Sequence, residues 1–297
     1  MLNIVENRKF FYAISGIFIV ASVIALLLWG LKFGIDFKGG SILEVAYSDN
    51  KRPETNQIID SLKPLKLNDL RISPIGDNGV NFWFRETDET THQEIIRILK
   101  LNNNIEERRF SSIGPTIGTE LKQKSIKAII IVLFGISLYI AWAFRRVSKP
   151  LSSWRYGVVT LIALFHDLVI PIGLFACLGH FYGVEVGTNF IVALLVILGF
   201  SVHDTIVVFD RIRENLKRYA SLDFMPLVNQ SVNETLVRSI STSFTVLLTL
   251  LALYVFGGES LRYFILALMV GIFSGTYSSI FIASPLLVSW FKVLNKN

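Results

Sequence analysis

Residues 188–209 read TNFIVALLVILGFSVHDTIVVF. As a helix, this largely apolar stretch is long enough to cross a hydrocarbon core of about 30 Å. It nonetheless carries His203 and Asp204 within two turns of one end. A charged side chain in the bilayer interior costs about 2.5–3.5 kcal/mol on insertion scales, so it usually faces a protein interior or a water-filled path. The stretch therefore predicts a membrane-spanning helix with a functional polar site rather than a passive anchor.

The whole chain has the composition of a polytopic membrane protein. Of its 297 residues, 52% are hydrophobic and 18% are charged, whereas soluble domains carry about 25% charged residues. Apolar blocks long enough to span a bilayer recur along the sequence. We predict six transmembrane helices, at 10–31, 126–144, 156–178, 188–209, 240–256 and 261–291. The first follows Arg8 and Lys9 like a signal peptide, but its apolar region is too long, so we expect an uncleaved anchor.

The positively charged residues of the short loops predict the orientation of these spans. Lysine and arginine are enriched in cytoplasmic loops. Here they fall in the N-terminal tail, in the loops after the second and fourth spans and at the C-terminus, whereas the remaining short loops hold only Arg262 beside Glu185 and Glu259. Both termini are therefore predicted to be cytoplasmic. The formal net charge of +6 follows from topology, and we predict no nucleic-acid partner.

The segment 32–125 is predicted to be one small domain on the extracytoplasmic side. Alternating apolar residues predict strands at 41–47, 69–75, 80–84 and 106–113, and helical spacing predicts helices at 54–62 and 88–101. The order β-α-β-β-α-β is that of a ferredoxin-like α+β domain. The predicted organisation is a cytoplasmic N-terminus with the first span (1–31), this domain (32–125), five further spans (126–291) and a cytoplasmic tail (292–297).

Asp204 is the main candidate for chemistry in the membrane. Ser201 and Asp204 lie three residues apart and share a helix face. Burial disfavours the charged form of a carboxyl group, whereas a nearby arginine favours it. A carboxyl group under both influences can bind and release a proton as its partner moves. The alternative is a structural ion pair that fixes helix packing.

Three further polar residues are weaker candidates. Arg238 opens the fifth span and could be a permanent counter-ion for Asp204, or simply a snorkelling arginine of the positive side. Asp167 could be a second relay carboxylate, or it could satisfy the neighbouring His166. His203 has a packing role as its simplest interpretation.

Several motifs are absent from the sequence. There is no G-x-x-x-x-G-K-[ST] phosphate loop and no H-E-x-x-H motif, and Cys177 is the only cysteine. We therefore expect no cofactor, no metal site, no intrachain disulfide and no enzymatic activity. Any work must then be driven by an ion gradient or by a partner.

Several stretches resemble the SecD/SecF family of the bacterial Sec export machinery. Together the matches span nearly the whole chain. They are FGIDFKGG (33–40), GPTIGTE (114–120), GFSVHDTIVVFDRIREN (199–215), TLVRS (235–239) and GTYSS (275–279). The family usually carries tyrosine at the position of Phe200 and asparagine at that of His203.

The resemblance implies a specific role. It implies the SecF type of subunit in the bacterial cytoplasmic (inner) membrane, paired with SecD in a twelve-span unit of the RND type. It implies an ion gradient of protons or sodium that helps to draw unfolded preproteins through SecYEG, with YajC-like and YidC-like proteins as further partners. Asp204 and Arg238 occupy the positions implicated in ion coupling.

Two other functions are left open by the residues. One is half of an RND-type exporter of small molecules or lipids. The other is an intramembrane aspartyl protease, in which Asp167 and Asp204 share a proton, although the sequence has no G-x-G-D motif.

Overall fold

The chain forms two compact units in the computed structural model. The structure describes residues 2–48, 52–85, 87–101, 103–145, 151–219, 222–258 and 261–294. One unit comprises Met1–Lys32 and Lys127–Asn297, and the other comprises Phe33–Ile126. Arg146 and Lys149 of the loop after the second predicted span, Glu259 and residues 295–297 of the predicted tail lie outside the described residues.

The unit Phe33–Ile126 has the predicted β-α-β-β-α-β order. Its antiparallel sheet has the strand order β2-β3-β1-β4, which is the ferredoxin-like arrangement. Alternate strand residues face two amphipathic helices, so that Leu43, Phe82 and Ile95 share one core. The predicted fold class is confirmed. The elements are β1 (Gly40–Tyr47), α3 (Thr55–Leu62), β2 (Arg71–Ile75), β3 (Gly79–Phe84), α4 (Glu89–Lys100) and β4 (Ile105–Ile113).

A glycine turn leads into this sheet. The short helix α2 (Ile35–Lys38), which the sequence did not predict, ends at Gly39, whose φ of +79° is strained for residues with a Cβ. A Cβ on Gly39 would lie 2.7 Å from the Cα of Pro115. Two of the family-like stretches, 33–40 and 114–120, therefore pack directly against each other.

The six predicted membrane-spanning helices are all present. Several are longer than predicted, because polar turns extend them beyond their apolar blocks. The fifth helix begins at Phe224 rather than at residue 240. The helices are α1 (Arg8–Trp29), α5 (Pro115–Ala143), α6 (Ser153–Tyr182), α7 (Thr188–Arg218), α8 (Phe224–Phe256) and a last span that begins with α9 (Arg262–Ser278).

The last span contains a wide turn. A π-helical segment, Ser279–Ala283, joins α9 to α10 (Ser284–Leu294). Pro285 lacks a backbone N–H, so a regular α-helix would lose a hydrogen bond there, and π segments often absorb such interruptions. The Ser284 hydroxyl donates to the Ser279 carbonyl across 3.3 Å. The helix continues through Leu294, into the segment predicted as a tail.

The spans differ in how much of their surface the chain itself covers. α6, α7 and the last span bury about half of their most apolar segments inside the unit, whereas α1, α5 and α8 bury about a tenth of theirs or less. α6, α7 and α9 therefore form the centre of the membrane unit. The buried carboxyl groups of Asp167 and Asp204 lie on two of these helices, α6 and α7.

Polar side chains join α7 to α8 at one end of the membrane unit. Asn215 donates to Ser231 (2.9 Å) and to Glu234 (2.8 Å), and Arg211 is paired with Glu234 at 2.5 Å. Arg211 follows the predicted fourth span, 188–209, and would lie in the loop after it, but in the structure it belongs to α7. Its charge is held in an interhelical pair rather than in a free loop.

Candidate ion-coupling site

Asp204 is buried in α7 and is surrounded by hydroxyl groups. Its side chain points into the protein, and the residue is 3% exposed. Ser243 of α8 donates to the Oδ2 atom of Asp204 across 3.4 Å, and Thr276 of α9 also hydrogen-bonds to the carboxyl group. Ser243 and Thr276 are themselves 2.5 Å apart. The carboxyl group therefore lies where α7, α8 and α9 meet, and neutral hydroxyls are its hydrogen-bond partners.

The site depends on a close approach between α7 and α9. A Cβ on Gly275 would lie 2.9 Å from the Cβ of Ser201, and a Cβ on Gly271 would overlap Ile197. Glycines at such positions let helix backbones approach closely in a membrane. Gly271 and Gly275, spaced as a G-x-x-x-G pair, thus place the polar groups of α9 against α7.

Arg238 does not contact Asp204. It is exposed on α8, and no ion pair joins these two side chains in the described part of the chain. Arg238 precedes Ser243 by five residues, which is about 7.5 Å along the axis and about 140° beyond a full turn. The guanidinium therefore points away from the Asp204 site. The predicted counter-ion contact is not formed, and a role for Arg238 in ion coupling stays a prediction.

His203 is also exposed, although it adjoins Asp204 in sequence. Successive residues of a helix point about 100° apart. Only Asp204 of this pair faces the interior of the unit, and the packing role predicted for His203 does not match its exposure. Its place as a weaker candidate for ion coupling stays a prediction.

Asp167 lies in a second buried polar cluster. The Nδ1 atom of His166 is 2.8 Å from one carboxylate oxygen of Asp167, and Ser274 donates to the same oxygen across 3.3 Å. The other oxygen accepts hydrogen bonds from Ser201 and, across 2.7 Å, from Ser278. Ser201, predicted to share a face with Asp204, is therefore bonded to Asp167 instead. Asp167 does satisfy His166, as one interpretation predicted. Its other predicted role, as a second relay carboxylate, stays a prediction.

The two buried aspartates belong to separate hydrogen-bond sets. Asp167 is bonded through His166 and three serines, whereas Asp204 is bonded through Ser243 and Thr276. A protease dyad requires two carboxyl groups close enough to share a proton. No contact of that kind joins Asp167 to Asp204 in the residues that the structure describes, so the geometry gives the protease hypothesis no support.

Sequence reasoning missed most of the hydroxyl partners. Ser15, Ser243, Ser274 and Thr276 were not predicted as site residues, and His166 was considered only as a partner that Asp167 would satisfy. One signal was available, since Ser274 and Ser278 lie four residues apart beside Gly271 and Gly275. Among the residues described, no cluster of three His, Cys, Asp or Glu side chains could hold a metal ion.

Comparison with known families explains the shared motifs. The family described as "Protein export membrane protein SecD/SecF, C-terminal" matches residues 95–293, and the "SecD/SecF GG Motif" matches residues 30–51. The first match alone covers more than half of the chain. The chain belongs to the SecD/SecF family. Asp167, Asp204 and Arg238 all lie within the C-terminal match, and Gly39 lies within the GG motif.

Individual relatives of the SecF type are similar over their full length. The chain is 45% identical to the protein translocase subunit SecF of Thermobaculum terrenum, with 98% of this chain and 94% of that protein covered. It is 41% identical to the SecF subunit of Anaerolinea thermophila, again covering 98% and 94%. The chain is thus similar to SecF subunits from one end to the other.

A solved SecD/SecF structure has the same fold over this length. The crystal structure of SecDF, a translocon-associated membrane protein from Thermus thermophilus, superposes with a TM-score of 0.82 at 33% identity. The match covers 97% of this chain but only 38% of the SecDF chain. A second structure, SecDF in its super-membrane-facing form, gives a TM-score of 0.70 at the same identity, with coverages of 99% and 39%. This chain therefore corresponds to a part of a longer SecDF chain.

Proposed function

We propose that this chain acts as the SecF subunit of the Sec protein-export machinery and uses a transmembrane ion gradient to promote the movement of preproteins. The buried Asp204 carries this proposal. It lies inside an apolar helix of a SecD/SecF protein, and its neighbours are hydroxyls that can remain bonded to either protonation state. A hydroxyl can donate to a carboxylate and can accept from a carboxylic acid.

The gradient supplies enough free energy to bias such a site. One elementary charge that crosses 100 mV gains about 2.3 kcal/mol, which corresponds to roughly 45-fold in an equilibrium constant. Because α7, α8 and α9 meet at Asp204, a change in its hydrogen bonds changes how these helices pack. We propose that this change moves the domain formed by Phe33–Ile126, which contacts the exported polypeptide.

The proposed partner is SecD. The solved SecDF chain is more than twice as long as the part matched here. Arg238 is exposed on α8 without an ion pair among the described residues. An unpaired arginine at the border of an apolar span is costly unless another protein or the interface receives it. We propose that a carboxylate of SecD receives it, and that SecYEG binds the resulting complex; the resemblance alone suggests the YajC-like and YidC-like partners.

The proposed location is a bacterial cytoplasmic membrane, with both termini in the cytoplasm and the unit Phe33–Ile126 outside. The distribution of lysine and arginine supports this orientation. The family match favours protein export over a small-molecule or lipid exporter, and it favours a translocase subunit over an enzyme.

The test is the replacement Asp204→Asn in a reconstituted export assay. Membrane vesicles would contain the full chain, SecD and SecYEG, and preprotein uptake would be measured with and without an imposed ion gradient. We expect Asp204→Asn to abolish the gradient-dependent part of uptake. A matched control is Asp210→Asn, on the same helix but exposed and paired with Arg213 at 2.5 Å. Unchanged gradient dependence in Asp204→Asn would disprove the coupling role.

A further inference from the structure

Three polar side chains at the start of α6 end in groups that have no hydrogen-bond partner. The hydroxyl oxygens of Ser152 and Tyr156 and the Nε atom of Arg155 are buried, and none of them is bonded to any of the described residues. The spacing i, i+3 and i+4 places these three residues on one face of the first turn. Buried polar groups are normally hydrogen-bonded, so three unbonded groups together indicate that something other than the protein binds there.

The side chain of Tyr156 extends along this first turn. Side chains of an α-helix lean toward its N-terminus, and the Tyr156 ring stacks on Phe144 with the ring centroids 5.3 Å apart. The carbonyl of Phe144 accepts a hydrogen bond across 2.7 Å from Ser153, the first residue of α6. Tyr156 is 0% exposed. Its ring is therefore held beside the start of α6, where its hydroxyl has no partner in the described part of the chain.

The start of α6 also carries positive charge that no acidic group balances. Ser152 is the N-cap residue, but its side chain makes no capping hydrogen bond, and the first turn contains no acidic residue. The first amide groups of a helix lack acceptors within the helix, and the helix dipole favours a negative charge near them. Arg155 adds a full positive charge, which forms no ion pair with the described residues. A negatively charged ligand would be attracted by the dipole and by the guanidinium together.

The three unbonded groups indicate the chemical class of this ligand. The Nε–H of Arg155 can only donate a hydrogen bond, and the hydroxyls of Ser152 and Tyr156 can donate as well. A ligand that brings several acceptor oxygens and negative charge would satisfy them. Phosphate groups bind at helix N-termini for the same reasons, and the arginine fork matches the geometry of phosphate oxygens. The site therefore fits a phosphate group.

Two tryptophans place this site at the edge of the membrane. The guanidinium carbon of Arg155 lies 5.6 Å from the ring centroid of Trp154 and 5.9 Å from that of Trp290. The two indole rings meet edge to face at 5.2 Å. Trp154 is 52% exposed at the start of a helix that is long and apolar enough to cross a membrane. Tryptophan is enriched where headgroups meet hydrocarbon, and the phosphate groups at that level belong to phospholipids.

We propose that the start of α6 is a binding site for one anionic phospholipid. Its phosphate is held by Ser152 and Arg155, and its acyl chains lie against the two tryptophans. The unbonded atoms are covered by protein, so the lipid enters as the side chain of Arg155, which is only partly buried, turns outward on its flexible stem. In the orientation proposed above, the lipid belongs to the cytoplasmic leaflet. The site does not depend on the proposed role in export.

Lipid titration of the full chain measures binding at this site. The purified chain in a neutral detergent would be titrated with phosphatidylglycerol, and bound lipids would be counted by native mass spectrometry. We expect one tightly bound phosphatidylglycerol, and weaker binding of phosphatidylcholine, whose choline group cancels the negative charge. Displacement of phosphatidylglycerol by inorganic phosphate at an equal concentration would overturn the assignment to a lipid.

Matched arginine replacements decide whether Arg155 forms the site. Arg155→Gln should weaken phosphatidylglycerol binding about tenfold to hundredfold, as is usual for the loss of hydrogen bonds to a charged group. Ser152→Ala, which leaves the charge unchanged, should weaken it by less. The control is Arg145→Gln, because Arg145 also lies over a tryptophan, Trp142, at 4.2 Å, but donates to the Trp142 carbonyl at the end of α5. Native affinity in Arg155→Gln, or equal weakening in both arginine variants, would overturn the proposal.

Tryptophan fluorescence locates the lipid in a bilayer. The full chain would be reconstituted in phosphatidylcholine with a small fraction of phosphatidylglycerol brominated on its acyl chains, because bromine quenches the tryptophans that it contacts. We expect stronger quenching than with the same fraction of brominated phosphatidylcholine. This difference should be lost in Arg155→Gln, fall in Trp154→Phe and persist in Trp142→Phe. Equal quenching of the native chain by the two brominated lipids would overturn the proposal.

Discussion

At the scale of single residues, what decides the site is which side of its helix a side chain occupies. Asp204 and His203 are neighbours in sequence, yet one is buried and the other is exposed. Arg238 and Ser243 lie within two turns of α8, yet only Ser243 reaches Asp204. Position in the sequence was sufficient to find the buried acids. It could not show which partner each acid meets, because that depends on the rotation of the neighbouring helix.

Gly275 provides a test of the α7–α9 contact. In Gly275→Ala the new methyl group would lie 2.9 Å from the Ser201 Cβ and 3.3 Å from its Oγ, so Ser201 or the backbone of one helix must shift. We expect a loss of about 1–3 kcal/mol in unfolding free energy, as is usual for overpacking. Denaturation in detergent micelles measures this change. The control Gly199→Ala on α7 meets nothing within 4 Å, and equal destabilisation by both replacements would contradict the argument.

The hydroxyl clusters were the least predictable residues. Serine and threonine are common in membrane helices as small packing residues, so Ser15 or Thr276 gave no distinct signal. The structure identifies them because each hydroxyl meets a buried carboxyl or imidazole group on another helix. Such a cluster is a property of three-dimensional proximity, and one sequence does not contain that information.

At the scale of elements, the sequence was most informative where one pattern decides the structure. In the unit Phe33–Ile126, the predicted ends of the strands and helices lie within about two residues of the observed ends. Alternation of apolar and polar residues is strong in these strands, and helical spacing of apolar residues is strong in these helices. The predicted start of α8, at residue 240, is too late, since the helix begins at Phe224. Residues 224–239 are amphipathic and carry polar side chains such as Asn229 and Glu234. Hydropathy detects the apolar part of a helix and misses a polar extension.

The glycine turn before β1 can be tested by separating two costs. Gly39→Ala combines a left-handed backbone with a clash against Pro115, whereas Gly30→Ala, at a φ of +65°, has open space around the new methyl group. We expect Gly30→Ala to cost about 1–3 kcal/mol from the backbone alone, because a φ of +65° with a ψ of −176° is a conformation that essentially only glycine adopts. The loss of unfolding free energy, measured by chemical denaturation, should be clearly larger for Gly39→Ala. Equal losses in the two variants would exclude the clash with Pro115 as a cause.

The start of α4 should respond to acid. Asp88 caps this helix, and hydrogen bonds from Thr91 and Thr90 lower the pKa of its carboxyl to about 2. A carboxyl whose pKa is lower in the folded state stabilises that state above its unfolded value of about 3.9, and the contribution is lost as the pH falls towards 2. The protection factor for hydrogen exchange at the first turn of α4, which is the exchange rate corrected for its intrinsic pH dependence, should therefore fall between pH 4 and pH 2.

The replacement Asp88→Ala is the control for this acid response. It removes the titrating group, so the protection factor in the first turn should be lower at neutral pH and should lose its Asp88-dependent fall in acid. A fall of the same size in both proteins would assign the acid response to another group.

At the scale of the whole molecule, Arg238 carries a charge that no ion pair holds among the described residues. Arg238 is exposed, so Arg238→Ala should change the unfolding temperature of the isolated chain by little. The same replacement should reduce co-purification with SecD and gradient-dependent export, because the proposed ion pair between the subunits is lost. Thr242→Ala, one turn away on the same face, is the control, since its hydroxyl bonds to its own helix at Arg238 O (2.9 Å). Unimpaired association of Arg238→Ala would exclude this contact.

The wide turn Ser279–Ala283 has a consequence for the direction in which the last helix faces. A π segment contains one more residue than the α-helical turn that it replaces, and one residue corresponds to a rotation of about 100°. The buried face of α10, with Leu287 and Val288, is oriented by that extra residue. A deletion or an insertion within Ser279–Ala283 would therefore turn the whole of α10 on its axis, and the damage would extend along the helix rather than remain at the site of the change.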